Sequence, residues 1–391
     1  MTVRTDRYDV IVAGVGGMGS ATVAALAARG ARVLGLERSS IPNDEGSSHG
    51  VNRIIRLGYA EDPRYVPLLR RAYQAWRELE QRSGESILVI TGGVDAGTPE
   101  SETVSGSLES CRLHHLDHEL LEASELNARY PGFRLPVGMV GVVQPQGGFV
   151  FSERAIAAYA ALALAAGAEL HGHEPVTDWE PEGDGAVVRT DRGEYRASRL
   201  VISAGAWVGT LMPPLAHLFT PERQVLLWTQ PVRPELYQVD RFPIFVLESP
   251  EGRFYGFPIA GVPGFKIGLY HHRGQVVDPE TMDRGAVDAT DEAVIRAGIR
   301  GYLPDADGPT LSLRTCMFTN TSDEHFVIDR YPGVPQVIVA SPCSGHGFKF
   351  ASVIGEVLAN LALDRDPGFD LAMFRFDRFG AGALAGAVPQ A

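Results

Sequence analysis

One stretch near the start of the chain decides the fold: Tyr8-Asp-Val-Ile-Val-Ala-Gly14-Val-Gly16-Gly-Met-Gly19-Ser20. An alanine-rich run follows it, and a second apolar segment ends at Glu37. This order predicts a buried strand, a glycine turn, a helix and a second strand that ends in an acid. In the pattern G-x-G-x-x-G the first glycine allows a tight turn, the second lets the backbone approach a pyrophosphate, and the third lets helix and strand pack closely.

The same stretch predicts a dinucleotide site. The N-terminus of the helix would offer free N–H groups and a partial positive charge to phosphates. Glu37 stands where an acid accepts hydrogen bonds from a ribose 2′-OH. The alternative is a glycine turn in an ordinary α/β unit, but that reading does not account for the acid at the end of the second strand.

Composition excludes several classes of function. The chain has 391 residues, of which 45% are hydrophobic and 21% charged, and its formal net charge is −13. This length predicts one large or two moderate domains. Nucleic acid and acidic membranes both need a basic surface, so neither is an expected partner. No apolar run reaches the roughly 18 residues of a membrane-spanning helix, and the first residues lack a signal-peptide pattern. We therefore expect a cytoplasmic protein.

Cysteine and histidine positions do not predict a metal site. The three cysteines, Cys111, Cys316 and Cys343, are an odd number at wide spacing, which fits neither a disulfide framework nor a metal cluster. A histidine group, formed by residues 114, 115 and 118, could bind zinc, but no set of acids or cysteines beside it completes such a site. We expect surface histidines there and no metal.

The order of the remaining segments predicts two domains. A second alanine-rich helix, a hairpin and a strand that runs into Ala204-Gly205 are what a distant piece of the same dinucleotide-binding domain would contain. Short β-rich segments after residue 216 predict a mostly antiparallel sheet. One strand is expected over 87–95, and a Pro- and Gly-rich linker over 131–150. The expected division is a discontinuous dinucleotide-binding domain (1–88, 145–215 and 320–380), a substrate domain (89–144 and 216–319) and a loose tail (381–391).

Two arginines in an acidic chain are candidate anion ligands. Arg53 and Arg56 stand three apart at the end of a polar loop, and they would share one face if that segment were helical. The functional interpretation is a clamp for a substrate carboxylate or a cofactor phosphate. The alternative is a pair of solvated surface arginines.

Further motifs identify a family. They are Ser48-His49-Gly50-x-x-Arg53-x-Ile55-Arg56, Tyr255-Gly256-Phe257-Pro258, Cys316 with Asp323-Glu324-x-Phe326-x-Ile328-Asp329, and Ser344-Gly-His-Gly-Phe-Lys-Phe350. The chain resembles the D-amino-acid-oxidase superfamily of flavoproteins, especially its monomeric sarcosine oxidase and N-methyl-L-tryptophan oxidase branch, from about Tyr8 to about Phe379. The resemblance implies an α/β fold with a Rossmann-like, glutathione-reductase-like FAD-binding domain and a second, mostly antiparallel-sheet substrate domain.

The resemblance also implies a covalently bound FAD, held through an 8α-thioether to Cys316. The alternative for this cysteine is a small buried apolar side chain. Residues that match the family's other cofactor contacts are Gly14, Gly16, Gly19, Ser20, Glu37, Arg38, Ser48, His49, Val176, Ala204, Gly205, Trp207, Gly345, Gly347, Phe348 and Lys349.

Catalytic and substrate roles follow from the same resemblance. Lys266 matches the lysine that faces the flavin and assists oxygen reduction, although strand alternation alone would also allow it to face solvent. Arg53 matches the arginine beside the flavin ring, and Arg56 with Lys349 matches the pair of cations that holds the substrate carboxylate. The remaining implied contacts on the substrate side are His346, Tyr255 and Glu61, of which Glu61 could equally be an ordinary surface glutamate.

Departures from the family pattern bear on the substrate. One inserted residue leaves open whether Tyr270 or His271 takes the place of an active-site histidine. Phe318 stands where sarcosine oxidase has a tyrosine, and Asn52 stands where it has a threonine. Such changes leave the flavin chemistry intact but alter discrimination between substrates.

The resemblance predicts an FAD-dependent oxidase of N-methyl or cyclic secondary α-amino acids. Hydride would pass to flavin N5, water would hydrolyse the imine, and O2 would be reduced to H2O2. The alternatives are an oxidase of a primary or larger biosynthetic amine, a flavin dehydrogenase, and a flavin-binding module without turnover. The expected partners are a small carboxylate-bearing amine and O2, and the family suggests a monomer.

Overall fold

The computed structural model describes residues 7–387. Its strands are β1 (Arg7–Ala13), β2 (Val33–Leu36), β3 (Asn52–Ile55), β4 (Leu88–Ile90), β5 (Gly93–Gly97), β6 (Glu119–Glu122), β7 (Val140–Gln144), β8 (Gly148–Phe151), β9 (Glu169–His171), β10 (Val176–Glu182), β11 (Gly185–Thr190), β12 (Glu194–Ile202), β13 (Thr220–Thr229), β14 (Ile244–Ser249), β15 (Gly252–Phe257), β16 (Phe265–Leu269), β17 (Thr310–Asn320), β18 (Val327–Tyr331) and β19 (Val334–Ser341). Its α-helices are α1 (Gly17–Ala27), α2 (Val66–Ser83), α3 (Glu102–Leu113), α4 (Ala123–Arg129), α5 (Ser152–Ala165), α6 (Val208–Leu211), α7 (Ala289–Tyr302) and α8 (Ala351–Ala362).

The first sheet is the predicted dinucleotide-binding sheet. Its main order is β10-β11-β12-β1-β2-β9, and β19 pairs with β12 and with β18. β1 pairs in parallel with β2 and β12, and β12 pairs in parallel with β19. Alternate residues of β1 enter two different apolar clusters, one containing α1, α2, α5 and α8 and the other containing the segment 208–219. A parallel sheet covered on both faces explains why β1 reads as a nearly continuous apolar run.

The second sheet is mostly antiparallel, as predicted. Its order is β17-β13-β16-β15-β14-β5-β7-β6. All neighbouring pairs are antiparallel except β14 and β5. Helix α7 packs Ile295 and Ile299 into the apolar cluster on this sheet. A third sheet has the order β3-β8-β4.

Two local predictions were wrong, and one condition was not met. The expected linker over 131–150 contains buried β7 and nearly all of buried β8, because its prolines and most of its glycines lie in the turns around them, while Gly141 and Gly148 lie within the strands. The expected strand over 87–95 is two strands in different sheets, and Gly92 separates them with a φ of +76°. Residues 52–55 form a strand, so Arg53 and Arg56 do not share a helix face.

The end of the described chain is packed against the core. Ala387 is 3% exposed, and Ala383 and Leu384 contact the apolar cluster of the first sheet. Within the expected loose tail, Ala381 and Ala385 are exposed, whereas Ala383, Leu384 and Ala387 contact the core. The loose tail stays a prediction, and 388–391 lie outside the described residues. The division into two domains stays a prediction, and the membership of the two large sheets supports it. Within residues 7–387 no helix is both long and apolar enough to cross a membrane.

Candidate cofactor and substrate site

A cavity of about 540 Å³ joins the glycine turn of the first sheet to the second sheet. Its walls come from residues 13–18, 36–48, 203–207 and 340–349 on one side, and from strands β14, β15 and β17 on the other. The carboxyl ends of β1, β12 and β19 therefore open on the same space as side chains of the antiparallel sheet. Ligands of open parallel sheets bind at this kind of edge.

The glycine turn is shaped to admit a ligand. Gly14 has a φ of +96°, and a Cβ on Gly19 would lie 1.8 Å from the Gly14 carbonyl oxygen, so both positions require glycine. A Cβ on Gly16 would meet only the Ser48 hydroxyl, at 3.9 Å. The backbone of Gly16 thus faces open space at the start of α1, where a pyrophosphate would sit.

The far end of the turn is fixed by Glu37. Its carboxylate accepts hydrogen bonds from the Val15 N–H at 2.9 Å and from the Ser39 N–H at 3.1 Å. Burial raises the pKa of Glu37, and these backbone donors oppose that rise. Beside it, the Arg38 guanidinium lies 4.2 Å from the centroid of the Trp207 ring.

Unpaired polar groups on the cavity wall also fit a polar cofactor. Within the described part of the chain, the buried hydroxyls of Ser47 and Thr319 have no hydrogen-bond partner, and both residues line the cavity. Buried hydroxyls without partners are costly, so a ligand that bonds to them is expected. The residues present therefore fit a dinucleotide such as FAD.

Most residues expected to contact the cofactor line this cavity. They are Gly14, Gly16, Glu37, Arg38, Ser48, Val176, Ala204, Gly205, Trp207, Cys316, Gly345, Gly347, Phe348 and Lys349. Gly19, Ser20 and His49 do not reach the cavity wall. Gly19 instead allows the close contact with Gly14, and the Ser20 hydroxyl donates to the Gly17 carbonyl oxygen at 3.2 Å.

Cys316 lies on β17 in a cationic environment. It is 4% exposed, and its Sγ is 3.7 Å from Nη2 of Arg53. Burial acts to raise the pKa of the Cys316 thiol, but His49 and Arg53 outweigh it and bring that pKa down to about 7. A thiolate is the nucleophilic form of cysteine. Arg53 is itself held by the Ser47 and Asn52 carbonyl oxygens, at 2.8 and 2.9 Å.

Arg56 carries the positive charge at another part of the cavity. It is 4% exposed, and its Nε donates to Oδ2 of Asp95 at 3.1 Å. Its Nη2 lies 3.3 and 3.5 Å from the two carboxylate oxygens of Glu61. Burial acts to raise the pKa of Glu61, but Arg56 and then His346 and Lys349 bring it down to about 2. Glu61 therefore occupies the outer edge of the guanidinium as a largely buried ion pair at 3.3 Å.

Asp95 fixes the orientation of Arg56. Its Oδ2 also accepts hydrogen bonds from the Ser107 hydroxyl and the Gln144 amide, each at 2.8 Å. Asp95 is 0% exposed, and its Oδ1 has no partner among the described residues. With Nε held by this fully buried carboxylate, a ligand can bind only at the Nη groups, where it competes with Glu61.

Lys349 is the second cation here, in the 3-10 turn that precedes α8. Its Nζ donates to the His346 carbonyl oxygen at 2.6 Å and to the Tyr59 hydroxyl at 3.4 Å. Burial lowers the pKa of Lys349 to about 7, with Glu61 opposing that shift. The Lys349 side chain therefore changes between its ammonium and its neutral amine form near neutral pH.

Both ring nitrogens of His346 form hydrogen bonds. Its Nε2 lies 3.0 Å from the Glu324 carbonyl oxygen, which only accepts, so Nε2 carries the proton. Nδ1 then accepts from the Tyr59 hydroxyl at 2.5 Å. Burial lowers the pKa of His346 to about 4. His346 lines the cavity, and its neutral, fully bonded imidazole positions the Tyr59 hydroxyl, whereas Lys349 is held by the backbone carbonyl of His346.

Lys266 faces inward, but it lies behind the cavity wall. It is 2% exposed, and its Nζ donates to the Gly50 carbonyl oxygen at 2.7 Å and to the Asn52 carbonyl and side-chain oxygens at 2.8 and 2.9 Å. The ammonium also lies 4.3 Å from the centroid of Phe257, which does line the cavity. Burial lowers the pKa of Lys266 well below its usual value, and Arg53 adds to that shift.

The inserted segment separates the two candidate aromatic residues. Tyr270 lines the cavity with Tyr255 and Phe318, and its hydroxyl donates to the Ser344 carbonyl oxygen at 2.6 Å. His271 has a φ of +60° and is not on the cavity wall. Its ring lies instead between the carboxylates of Glu222 and Glu324, at 3.1 and 3.0 Å.

Three residues at the site were missed by the sequence reasoning: Asp95, Tyr59 and Arg253. Asp95 gave a signal, because a lone acid in an apolar strand segment needs a buried partner. Arg253 was also detectable, since it alternates with Tyr255 and Phe257 along β15. Tyr59 gave none, because a tyrosine beside a glycine is common in any loop.

Comparisons with known proteins agree with this geometry. The family model described as FAD dependent oxidoreductase (DAO) matches residues 9–361. Monomeric sarcosine oxidase of Streptomyces avermitilis is 45% identical over 374 residues, which cover 94% of this chain and 96% of that protein. N-methyl-L-tryptophan oxidase of Citrobacter koseri is 37% identical over 375 residues, which cover 95% and 99%.

The fold comparison agrees as well. The solved open form of NikD, an unusual amino acid oxidase essential for nikkomycin biosynthesis, aligns with a TM-score of 0.82 and 28% identity and covers 95% of this chain and 98% of that chain. The glycine turn, the cavity and the match over residues 9–361 lead to one conclusion. This chain belongs to the FAD dependent oxidoreductase family of the D-amino-acid-oxidase type.

Proposed function

We propose that this protein is an FAD-dependent oxidase of secondary α-amino acids, acting on N-methyl or cyclic substrates. The observation that carries the proposal is the pair of buried cations, Arg56 and Lys349, facing the same cavity as the glycine turn. Similarity to sarcosine and N-methyltryptophan oxidases supports the substrate class. For an N-methyl substrate the overall reaction is R–NH–CH3 + O2 + H2O → R–NH2 + HCHO + H2O2.

The substrate carboxylate binds between Arg56 and Lys349. Asp95 holds Nε of Arg56, so the Nη edge is left for a planar, bidentate carboxylate. The contact of Glu61 with that edge is long, so an incoming carboxylate competes with Glu61 for it. FAD, held by the glycine turn and the cavity wall, would supply the acceptor for the hydride equivalent and the route of the electrons to O2. The protein supplies placement and charge, and the amine must bind as the free base.

Two finer features belong to the proposal. Cys316 holds the flavin covalently, and its low thiol pKa and its place on the cavity wall support this. Lys266 assists the oxygen reaction, and its buried position behind Phe257 is compatible with an electrostatic role. The cytoplasmic location and the monomeric state stay predictions.

Anaerobic reduction tests the function. Sarcosine, N-methyltryptophan, proline, pipecolate, glycine and D-alanine would each be added to the purified yellow protein while its oxidised-flavin absorbance is recorded. We expect a secondary amino acid to bleach the band and H2O2 to form when air returns. Bleaching by glycine or D-alanine alone would contradict the substrate class. Bleaching neither by any of the six nor by N-methylglutamate would contradict the proposed function.

Binding of a carboxylate without an oxidisable amine is expected to weaken above pH 7. Lys349 with a pKa of about 7 is protonated, and attracts an anion, only below that pH. The dissociation constant of (methylthio)acetate, followed by its effect on the flavin spectrum, should be level below pH 7 and rise by up to about tenfold per pH unit above it. In Lys349→Met the profile should lose this step. A level profile from pH 6 to 9 in the native protein would contradict the assignment.

A further inference from the structure

A second arginine lies at another part of the same cavity. On β15 the side chains of Arg253, Tyr255 and Phe257 all line it, whereas Phe254 and Gly256 are buried on the opposite face. Side chains two apart on a strand are about 7 Å apart along it. Phe257, Tyr255 and Arg253 thus form a row along the wall that begins beside Lys266 and ends in a positive charge.

The guanidinium of Arg253 is positioned but not strongly paired. It lies 5.3 Å from the centroid of the Tyr270 ring, and that ring is fixed by the hydrogen bond of its hydroxyl to Ser344. Its ion pair is with Glu102, at 3.1 Å, and the Glu102 side chain is 86% exposed. An ion pair with so exposed a partner holds the arginine only weakly.

Other acids near Arg253 are occupied elsewhere. Glu248 stands opposite it on β14 and accepts a hydrogen bond from the Thr103 N–H at 2.9 Å. Glu324 pairs with His271 at 3.0 Å. Neither Glu102, Glu248 nor Glu324 lines the cavity, whereas Arg253 does. A ligand at this part of the cavity therefore meets a cation.

Tyr270 relates the two arginines to each other. The Tyr270 ring has the Arg253 guanidinium 5.3 Å from its centroid, and Tyr270 lines the same cavity as Arg56. Arg56 is the inner anchor of the carboxylate in the proposed function. Arg253 therefore presents a second cation to the cavity that Arg56 also lines.

We propose that Arg253 forms a second anion subsite, and that the preferred substrate is a secondary α-amino acid whose side chain carries its own carboxylate. This rests on the proposed function for the inner anchor. The α-carboxylate binds Arg56 and Lys349, while the side-chain carboxylate displaces Glu102 from Arg253. N-methylglutamate and N-methylaspartate have this chemistry.

The test compares matched ligands that differ by one charge. Binding of glutarate and of its monoamide, glutaramate, is measured by perturbation of the flavin spectrum, and kcat/KM is measured for N-methylglutamate and N-methylglutamine. We expect the charged member of each pair to be favoured by about 10- to 100-fold, the range of a charge-assisted hydrogen bond. In Arg253→Gln the ratio should fall towards one, and Arg253→Lys should retain part of it.

Two further variants test the role of Glu102 and control for the loss of an arginine elsewhere. Glu102→Gln removes the competing carboxylate, so it should increase the preference for the charged ligand. Arg233→Gln is the control, because Arg233 is half-exposed, is paired with Glu235 at 3.1 Å and is absent from the cavity wall. It should leave both ratios as they are.

The outcomes separate the two proposals. An Arg253-dependent preference in binding without turnover of any amine would contradict the proposed function but support the subsite. Turnover of N-methylated amino acids with ratios near one, or with ratios that Arg253→Gln leaves unchanged, would overturn the subsite and leave the proposed function standing.

Discussion

An Arg56→Met variant is expected to lose both stability and activity. Removing the guanidinium leaves Asp95 as a fully buried carboxylate with only two neutral donors, Ser107 and Gln144. Breaking a buried ion pair in this way costs about 3–5 kcal/mol in the free energy of unfolding. Loss of the bidentate anchor should lower kcat/KM for a carboxylate-bearing amine by about 100- to 1,000-fold.

The stability loss should depend on pH. Burial raises the pKa of Asp95, so without Arg56 the folded protein holds a proton that the unfolded chain releases. An acid with a raised pKa in the folded state destabilises the protein increasingly as pH rises above the acid's ordinary pKa. The difference in unfolding free energy between Arg56→Met and the native protein should therefore be smaller at pH 5 than at pH 8.

A double variant separates the two effects of Arg56. Arg56→Met with Asp95→Asn removes the charge as well as its partner, so urea unfolding should return towards the native midpoint while kcat/KM stays low. Arg129→Met is the control, because that arginine pairs with Glu119 at the surface and should cost little. A double variant as active as the native protein would exclude Arg56 as the carboxylate anchor.

The fold was readable from the sequence where the signal was local. Apolar runs around a glycine turn specify β1, α1 and β2, and short alternating segments specify the strands of the second sheet. The sequence did not allow us to predict which strands pair when they are far apart in the chain. Residues 131–150 were predicted as a linker because they contain many prolines and glycines, but β7 and β8 gain their stability from partners far along the chain. Pairing of this kind has no local pattern.

The site was partly readable for the same reason. Motif residues such as Arg56, Lys349 and Cys316 could be placed by resemblance, and all three line one cavity. The partners that set their charge could not be placed, because Asp95 and Tyr59 acquire a role only when β5 and the loop after β3 meet. The alternation of side chains along a strand could not decide where Lys266 lies. The pattern could not say which side it faces, nor that Asn52 and Gly50 would hold its ammonium.

A Cys316→Ala variant is expected to release its flavin on acid precipitation, whereas the native protein should keep the yellow colour in the pellet. The three cysteines differ in the form of their thiols. Burial raises the pKa of Cys111 to about 12 and that of Cys343 to about 11, whereas His49 and Arg53 bring that of Cys316 down to about 7. Only Cys316 therefore carries a substantial thiolate fraction near neutral pH, and only it lies beside the Arg53 guanidinium.

Cys343→Ala is the matched control, because Cys343 also lines the cavity but lacks a nearby cation in the contacts of its thiol. Its flavin should stay bound in acid. The rate at which flavin-free protein takes up FAD covalently should also rise about tenfold between pH 6 and 8, since the thiolate fraction of a group with a pKa near 7 rises by that amount. Acid-stable flavin in Cys316→Ala would exclude this cysteine, and a rate independent of pH would mean that thiolate formation does not limit the attachment.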